Sequence, residues 1–170
     1  MRNKLLLALT LTTGLTSPAM AEQWFMVATA PEEISYADAD SLVSQDNHRT
    51  LEVFTGNLNG VGPEGNIFYS TVKLEIDCGA HALRLLGGKD YDDNRQYLSA
   101  SEFDAGWQAI PDDSVAQNFD AFACSGGFRA NPVSDPFDDA DIYFYYYYDD
   151  ADPDSAKDAT DEATDSTTSS

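Results

Sequence analysis

The chain has 170 residues and a formal net charge of −21 at pH 7, from 30 acidic and 9 basic side chains. A surface so negative repels phosphate backbones and argues against nucleic-acid binding. Two cysteines and two histidines leave little with which to build a soft-metal centre.

In chain order, the first element is an export signal. Arg2 and Lys4 form a short positive start, Leu5 to Leu15 is apolar, Gly14 and Pro18 break the run, and Ala19-Met20-Ala21 is a small-x-small cleavage pattern. The apolar run falls short of the roughly 20 residues a membrane span needs. Cleavage after Ala21 predicts an exported, soluble mature chain beginning at Glu22. No cysteine sits near the cleavage point to carry a lipid anchor, and no second segment is apolar enough to span a membrane.

Charge then divides the mature chain. Residues 22–130 hold 18 acidic and 6 basic residues, net −12, while 131–170 hold 12 acidic residues and only Lys157, net −11. Hydrophobic patterning runs through the first part, and a domain of roughly 105 residues holds one core, not two. The last twenty residues, from Ala151, are Asp, Ala, Ser and Thr with almost nothing apolar. Such a segment does not offset its ordering entropy and is expected to be disordered.

Within the domain the pattern is mainly that of strands. WFMVAT (24–29), ISYAD (34–38) and TLEVFTG (50–56) are short β-type runs, and 57–65, with three glycines and Pro63, reads as a loop. From Phe68 to Asp77, Phe68, Val72, Leu74 and Ile76 alternate with Tyr69, Lys73, Glu75 and Asp77. A period of two places the aliphatic set on a buried face and the charges on an open one. Cys78 to His81 turns the chain, and Ala82 to Tyr91 is the return strand. Pro111, Asp112, Asp113 and Ser114 then supply a helix start, Val115, Phe119 and Phe122 share one helical face, and Gly126-Gly127 stops the helix. These elements predict an α+β domain: a mostly antiparallel sheet, one covering helix near the C-terminus and an acidic tail.

An even cysteine count in an oxidising compartment reads as a disulfide between Cys78 and Cys124. A redox role is disfavoured, because the two are far apart and no C-x-x-C is present. The bridge would fasten the end of the helix to the sheet hairpin.

The order of features resembles the bacterial surface-adhesin E domain. The matching residues are Trp24, YADAD (36–40), LEIDC (74–78), LRLL (83–86), YDDN (91–94), WQAIP (107–111), the Ser114-Val115 pair and Cys124, spanning Trp24 to Cys124. The resemblance implies an antiparallel sheet with a C-terminal helix, one disulfide, and a non-catalytic module at the bacterial envelope whose namesakes bind host extracellular proteins. Two departures stand out: this chain has no lipobox, and its acidity leaves no binding residue to carry over.

Candidate chemistry is thin. His48 and His81 lack metal-ligand spacing to another soft ligand and read as surface or turn histidines. No nucleophile elbow or glycine-rich phosphate loop is present. Asp90, Asp92 and Asn94 have the spacing of a calcium loop, but Arg95 stands where the turn glycine belongs and Ser101 where the bidentate glutamate belongs. A polar turn between two strands is the better reading. No catalytic residue, metal or cofactor is assigned.

The other unusual element is IYFYYYY (142–148), flanked by Asp138, Asp139, Asp141, Asp149 and Asp150. Its β propensity suits an extra edge strand docked on the domain. Equally, Tyr145, Tyr146, Tyr147 and Tyr148 would serve as a sticky segment on an arm, since tyrosine gives amphipathic contact area at low entropic cost. These four are the candidate binding residues. The acidity reads either as adaptation to salt or as recruitment of cations or basic partners. Two functions follow: an exported binding module of the adhesin E type contacting a host extracellular or envelope protein, or a periplasmic structural protein with no role in adhesion. Oligomeric state is not encoded in any feature of the sequence.

Overall fold

The computed structural model describes residues 23–103, 105–127 and 131–151. The expected export signal, and the expected disordered tail beyond residue 151, lie outside these. Among the described residues there are eight strands: β1 (Trp24–Ala30), β2 (Glu33–Asp38), β3 (Val43–Gln45), β4 (His48–Val61), β5 (Ile67–Asp77), β6 (Ala82–Tyr91), β7 (Tyr97–Glu102) and β8 (Gln108–Ala109). Two helices follow, α1 (Val115–Ser125) and α2 (Pro136–Ala151). The strands form one antiparallel sheet in the order β1-β2-β4-β5-β6-β7, with β3 added to β4 and β8 to β6. The antiparallel α+β architecture is the one the sequence predicts.

Local chemistry sets the boundaries. The β5–β6 hairpin closes on Asp77, whose Oδ1 accepts the backbone N–H groups of Gly79 and Ala80 at 2.9 and 3.1 Å, an Asx-type turn. Those two bonds hold the Asp77 carboxyl below the usual carboxylate range. Helix α1 starts where Ser114 Oγ accepts the Gln117 N–H at 3.2 Å. It ends at Gly126, whose φ of 66° is the left-handed C-cap that only glycine adopts without strain. Strand β4 is longer than its sequence suggests. It runs on through Val61, so only part of the glycine-rich stretch at 57–65 is turn.

The sheet is covered on both faces, where the sequence pattern pointed to one. On the first face Phe25, Val27, Leu51, Val53, Leu74 and Ile76 pack against Phe119, Phe122 and Ala123 of α1. Burying each large side chain here is worth about 1.5–3 kcal/mol. On the second face Trp24, Ile34, Tyr36, Phe54 and Tyr69 pack against Ala140 and Phe144 of α2. Tyr69, which alternation assigned to the open side with the charges, is buried beneath α2, and Phe68 packs against the same cluster. The period of two holds for Val72, Leu74 and Ile76, but Phe68, expected with them, packs against the second cluster, and an aromatic on the second face is as much core as the aliphatics on the first.

Cys78 and Cys124 form a disulfide with a Cα–Cα distance of 5.7 Å, within the ordinary range. It joins the end of β5 to the last turn of α1.

Candidate binding surfaces

The aromatic run at 142–148 belongs to α2 and is neither an edge strand nor a loose arm. The helix begins with ordinary start chemistry: Asp135 Oδ1 accepts the N–H groups of Phe137 and Asp138 at 2.9 and 3.3 Å. Pro136 occupies the first helical position, and Asp138 and Asp139 lie in the first turn, where the helix dipole favours carboxylates. Ala140 and Phe144, four residues apart, are buried on the sheet. Phe137 joins them by edge contacts with Phe54, Tyr69 and Tyr91 at centroid distances of 4.7, 5.1 and 5.4 Å. Gly56 of β4 makes this approach possible. A Cβ there would lie 3.1 Å from the Ala140 Cβ and 3.4 Å from the Phe144 ring.

Polar clasps complete the attachment. Tyr36 donates its hydroxyl to Asp139 at 2.7 Å, Tyr69 donates to Asp141, and Tyr143 donates to the Ala30 carbonyl at 3.1 Å. Burial and then the neighbouring carboxylate push both the Tyr36 and Tyr69 hydroxyls well above the ordinary phenol range. Arg95, in the turn between β6 and β7, reaches α2 from the side. Its Nη2 lies 2.6 Å from Asp138 Oδ1 and 2.6 Å from Asp141 Oδ2, with the guanidinium carbon 5.8 Å from the centre of the Phe137 ring. These two carboxylates raise the Arg95 pKa still further above its ordinary value.

The opposite face of α2 is open. Ile142, Tyr145 and Tyr146 are 54 %, 64 % and 64 % exposed, and their spacing of three and four residues puts them on one side of the helix. The Tyr145 and Tyr146 rings meet edge-on at 5.7 Å. Of the four expected binding residues, Tyr145 and Tyr146 therefore stand in solvent. Tyr147 and Tyr148 continue the same helix, and their side chains lie outside what the structure describes.

A second surface is the half of that sheet face which α2 leaves bare. Register places His48 of β4, Glu75 of β5 and Arg84 of β6 on one side of the sheet. His48 Nδ1 lies 3.0 Å from Glu75 Oε1, and Arg84 Nε donates to Glu75 Oε2 at 2.6 Å. Trp107, 41 % exposed, lies under the Arg84 guanidinium, 4.9 Å from its carbon, and meets the His48 ring at 5.2 Å with a tilt of 57°. A shallow groove lined by Thr71, Lys73, Gly87, Gly88 and Lys89 continues along this face. Sequence reasoning missed this cluster, because its members come from three strands and a loop that only sheet register brings together.

The other sequence candidates resolve into structural roles. His81 sits in the β5–β6 turn with its Nδ1 2.9 Å from Asp120 Oδ2 on α1. Asp90 accepts the hydroxyls of Ser70 and Ser99, while Asp92 accepts the N–H groups of Asn94 and Gln96. Their oxygens are turned to neighbouring donors, and the 92–96 segment is a polar turn between β6 and β7. Among the described residues no group of three or more His, Cys, Asp or Glu side chains is arranged to hold a metal ion. Nor is any described helix long and apolar enough to cross a membrane.

Two structures of Haemophilus influenzae protein E are similar to this chain. One, crystal form II, is 13 % identical with a TM-score of 0.47 over 70 % of this chain and 98 % of its own. The other is 14 % identical with a TM-score of 0.47 over 72 % and 95 %. No curated protein matches the chain. The family model for surface-adhesin protein E matches residues 24–125, from the start of β1 to the end of α1. That match spans more than half of the chain, which therefore belongs to the surface-adhesin protein E family.

Proposed function

We propose that this protein is an exported, non-catalytic binding module that works by surface contact with a protein partner, either a host extracellular protein or a protein of the cell envelope. The observation that carries the reading is the outward face of α2. Ile142, Tyr145 and Tyr146 present an apolar and aromatic strip on a helix whose other side is fixed to the sheet by Ala140, Phe144 and the tyrosine–aspartate clasps. Rigid aromatic side chains lose little entropy on contact and are over-represented in the energetic centres of interfaces. A strip of this kind gains little for a helix that only completes a core. Family membership supports the same reading. Export rests on the leader at residues 1–21, with its positive start and its Ala19-Met20-Ala21 cleavage pattern.

The test has two arms. Cell fractionation should find the protein at the surface or in the medium, and strict confinement to the periplasm would overturn the adhesin assignment. In the second arm, the mature chain and its Tyr145→Ser/Tyr146→Ser variant are compared for retention on immobilised extracellular-matrix proteins. Loss of retention at unchanged thermal stability is the expected result, and equal retention would remove α2 from the contact. Deleting residues 131–170 is a poor probe, because it strips Ala140 and Phe144 from the second core.

A further inference from the structure

The groove on the bare half of the second sheet face holds polar groups that the fold leaves unused. Thr71 is only 9 % exposed, and among the described residues its hydroxyl has no hydrogen-bond partner. It opens instead on two adjoining pockets, of about 270 and about 320 Å³, which share Thr71 and Glu52. A hydroxyl this deep without a partner costs the fold stability, and a bound group would give it one. The Glu52 carboxylate beside it also lacks an ion-pair or hydrogen-bond partner among the described residues. In register, Lys73 lies opposite Gly87 and Lys89 opposite Thr71. The two lysines are therefore diagonal neighbours, their backbones roughly 7–8 Å apart, with no side chain on Gly87 to fill the space between them. In a chain with 30 acidic residues, neither lysine is paired with a carboxylate among the described residues. Toward the start of α2, the half-buried rings of Tyr91 and Phe137 wall the second pocket.

This set suits neither a polyanion nor a cation. A polyanion meets Glu52 and, across Gly87 on β7, Glu102, while a cation meets the two lysines. What it matches is one carboxylate on a small ring rich in hydroxyl groups. We infer that the groove binds a sugar acid, a pyranose ring carrying a single carboxylate, at the end of a glycan. Lys73 and Lys89 hold the carboxylate, Glu52 and Thr71 take ring hydroxyls, and the C–H face of the ring packs on Tyr91. The two pockets together have the size of a small-ligand cleft. The site is separate from the protein contact proposed for α2 and does not depend on it.

The probes are D-glucuronic acid and N-acetylneuraminic acid, with D-glucose and sodium acetate as controls that keep the ring or the carboxylate alone. Each is titrated into the isotope-labelled mature chain to about 50 mM, above the millimolar range expected of one small ligand in an open groove, and read by amide chemical shifts. A sugar acid should shift the amides of Thr71, Lys73, Gly87 and Gly88, and the tighter of the two identifies a uronic or a sialic acid. Lys73→Gln/Lys89→Gln changes exposed side chains only and should raise the dissociation constant about tenfold. Thr71→Val should raise it about threefold without lowering the melting temperature, because a hydroxyl that only the ligand uses contributes nothing to the fold. Shifts with glucose or acetate equal to those with the acids, an affinity unmoved by the lysine substitutions, or no shift with either acid would overturn the inference. The Tyr145→Ser/Tyr146→Ser variant should bind the acid as the unsubstituted chain does, so failure of this site and failure of the α2 contact are read apart.

Discussion

Gly56 is the narrowest point between α2 and the sheet, and its missing side chain decides how closely the helix lies. A Cβ at that position would meet Ala140 at 3.1 Å and Ile34 at 3.3 Å, so a branched side chain has no room. Gly56→Val is expected to destabilise the protein by about 1–3 kcal/mol through overpacking, read as a lower urea midpoint. An unchanged midpoint would show that the helix does not rely on this contact. Tyr36 and Tyr69 add a pH dependence at the same interface. Burial and the carboxylates of Asp139 and Asp141 keep both phenols protonated far above their ordinary range. Their contribution is therefore fully present below pH ~10, the unfolded value, and is lost above it, where the unfolded chain ionises first. Stability should hold to about pH 10 and then fall, and Tyr36→Phe/Tyr69→Phe should flatten that fall. An alkaline limb of equal steepness in the double variant would sink the assignment.

The elements that were legible in the sequence are those whose signals are local. The β5–β6 hairpin, Asp77 at its turn, and α1 with Ser114 before it and Gly126 after it all follow from periods and caps within a dozen residues. The Cys78–Cys124 bridge was legible for a chemical reason, an even cysteine count behind an export signal, and it joins the elements expected. It closes a loop with a sequence separation of 46. Cys78→Ala/Cys124→Ala should cost roughly 4 kcal/mol by the loop-entropy relation, measurable as a drop in the denaturation midpoint. A loss below about 1 kcal/mol would mean that α1 stays docked without the bridge. Helix α2 was not legible, because four consecutive tyrosines favour strands on propensity alone. The start signal at Asp135-Pro136 and the four-residue spacing of Ala140 and Phe144 were present in the sequence. They outweigh propensity only once the Gly56 cleft exists to receive that face.

Across the whole molecule, charge and burial pull in different directions. The net charge of −21 repels itself in the compact state more than in the unfolded one, and salt screens that repulsion. The melting temperature should therefore rise as sodium chloride is raised from about 0.01 to about 1 M, a range over which the Debye length falls from about 30 to about 3 Å. A falling melting temperature would show instead that the clasps around Arg95 and Glu75 dominate. By itself the sequence determined the fold class, the strand set from β1 to β6 apart from the short β3, helix α1 and the disulfide pairing, because periodicity, caps and cysteine chemistry act over short stretches of chain. Tertiary structure alone decided that the sheet is covered on both faces, that the tyrosine run is a helix with one side buried and one side open, and that His48, Arg84 and Trp107 meet around Glu75. Each of those outcomes depends on which distant side chains are brought into contact, and no local period encodes that.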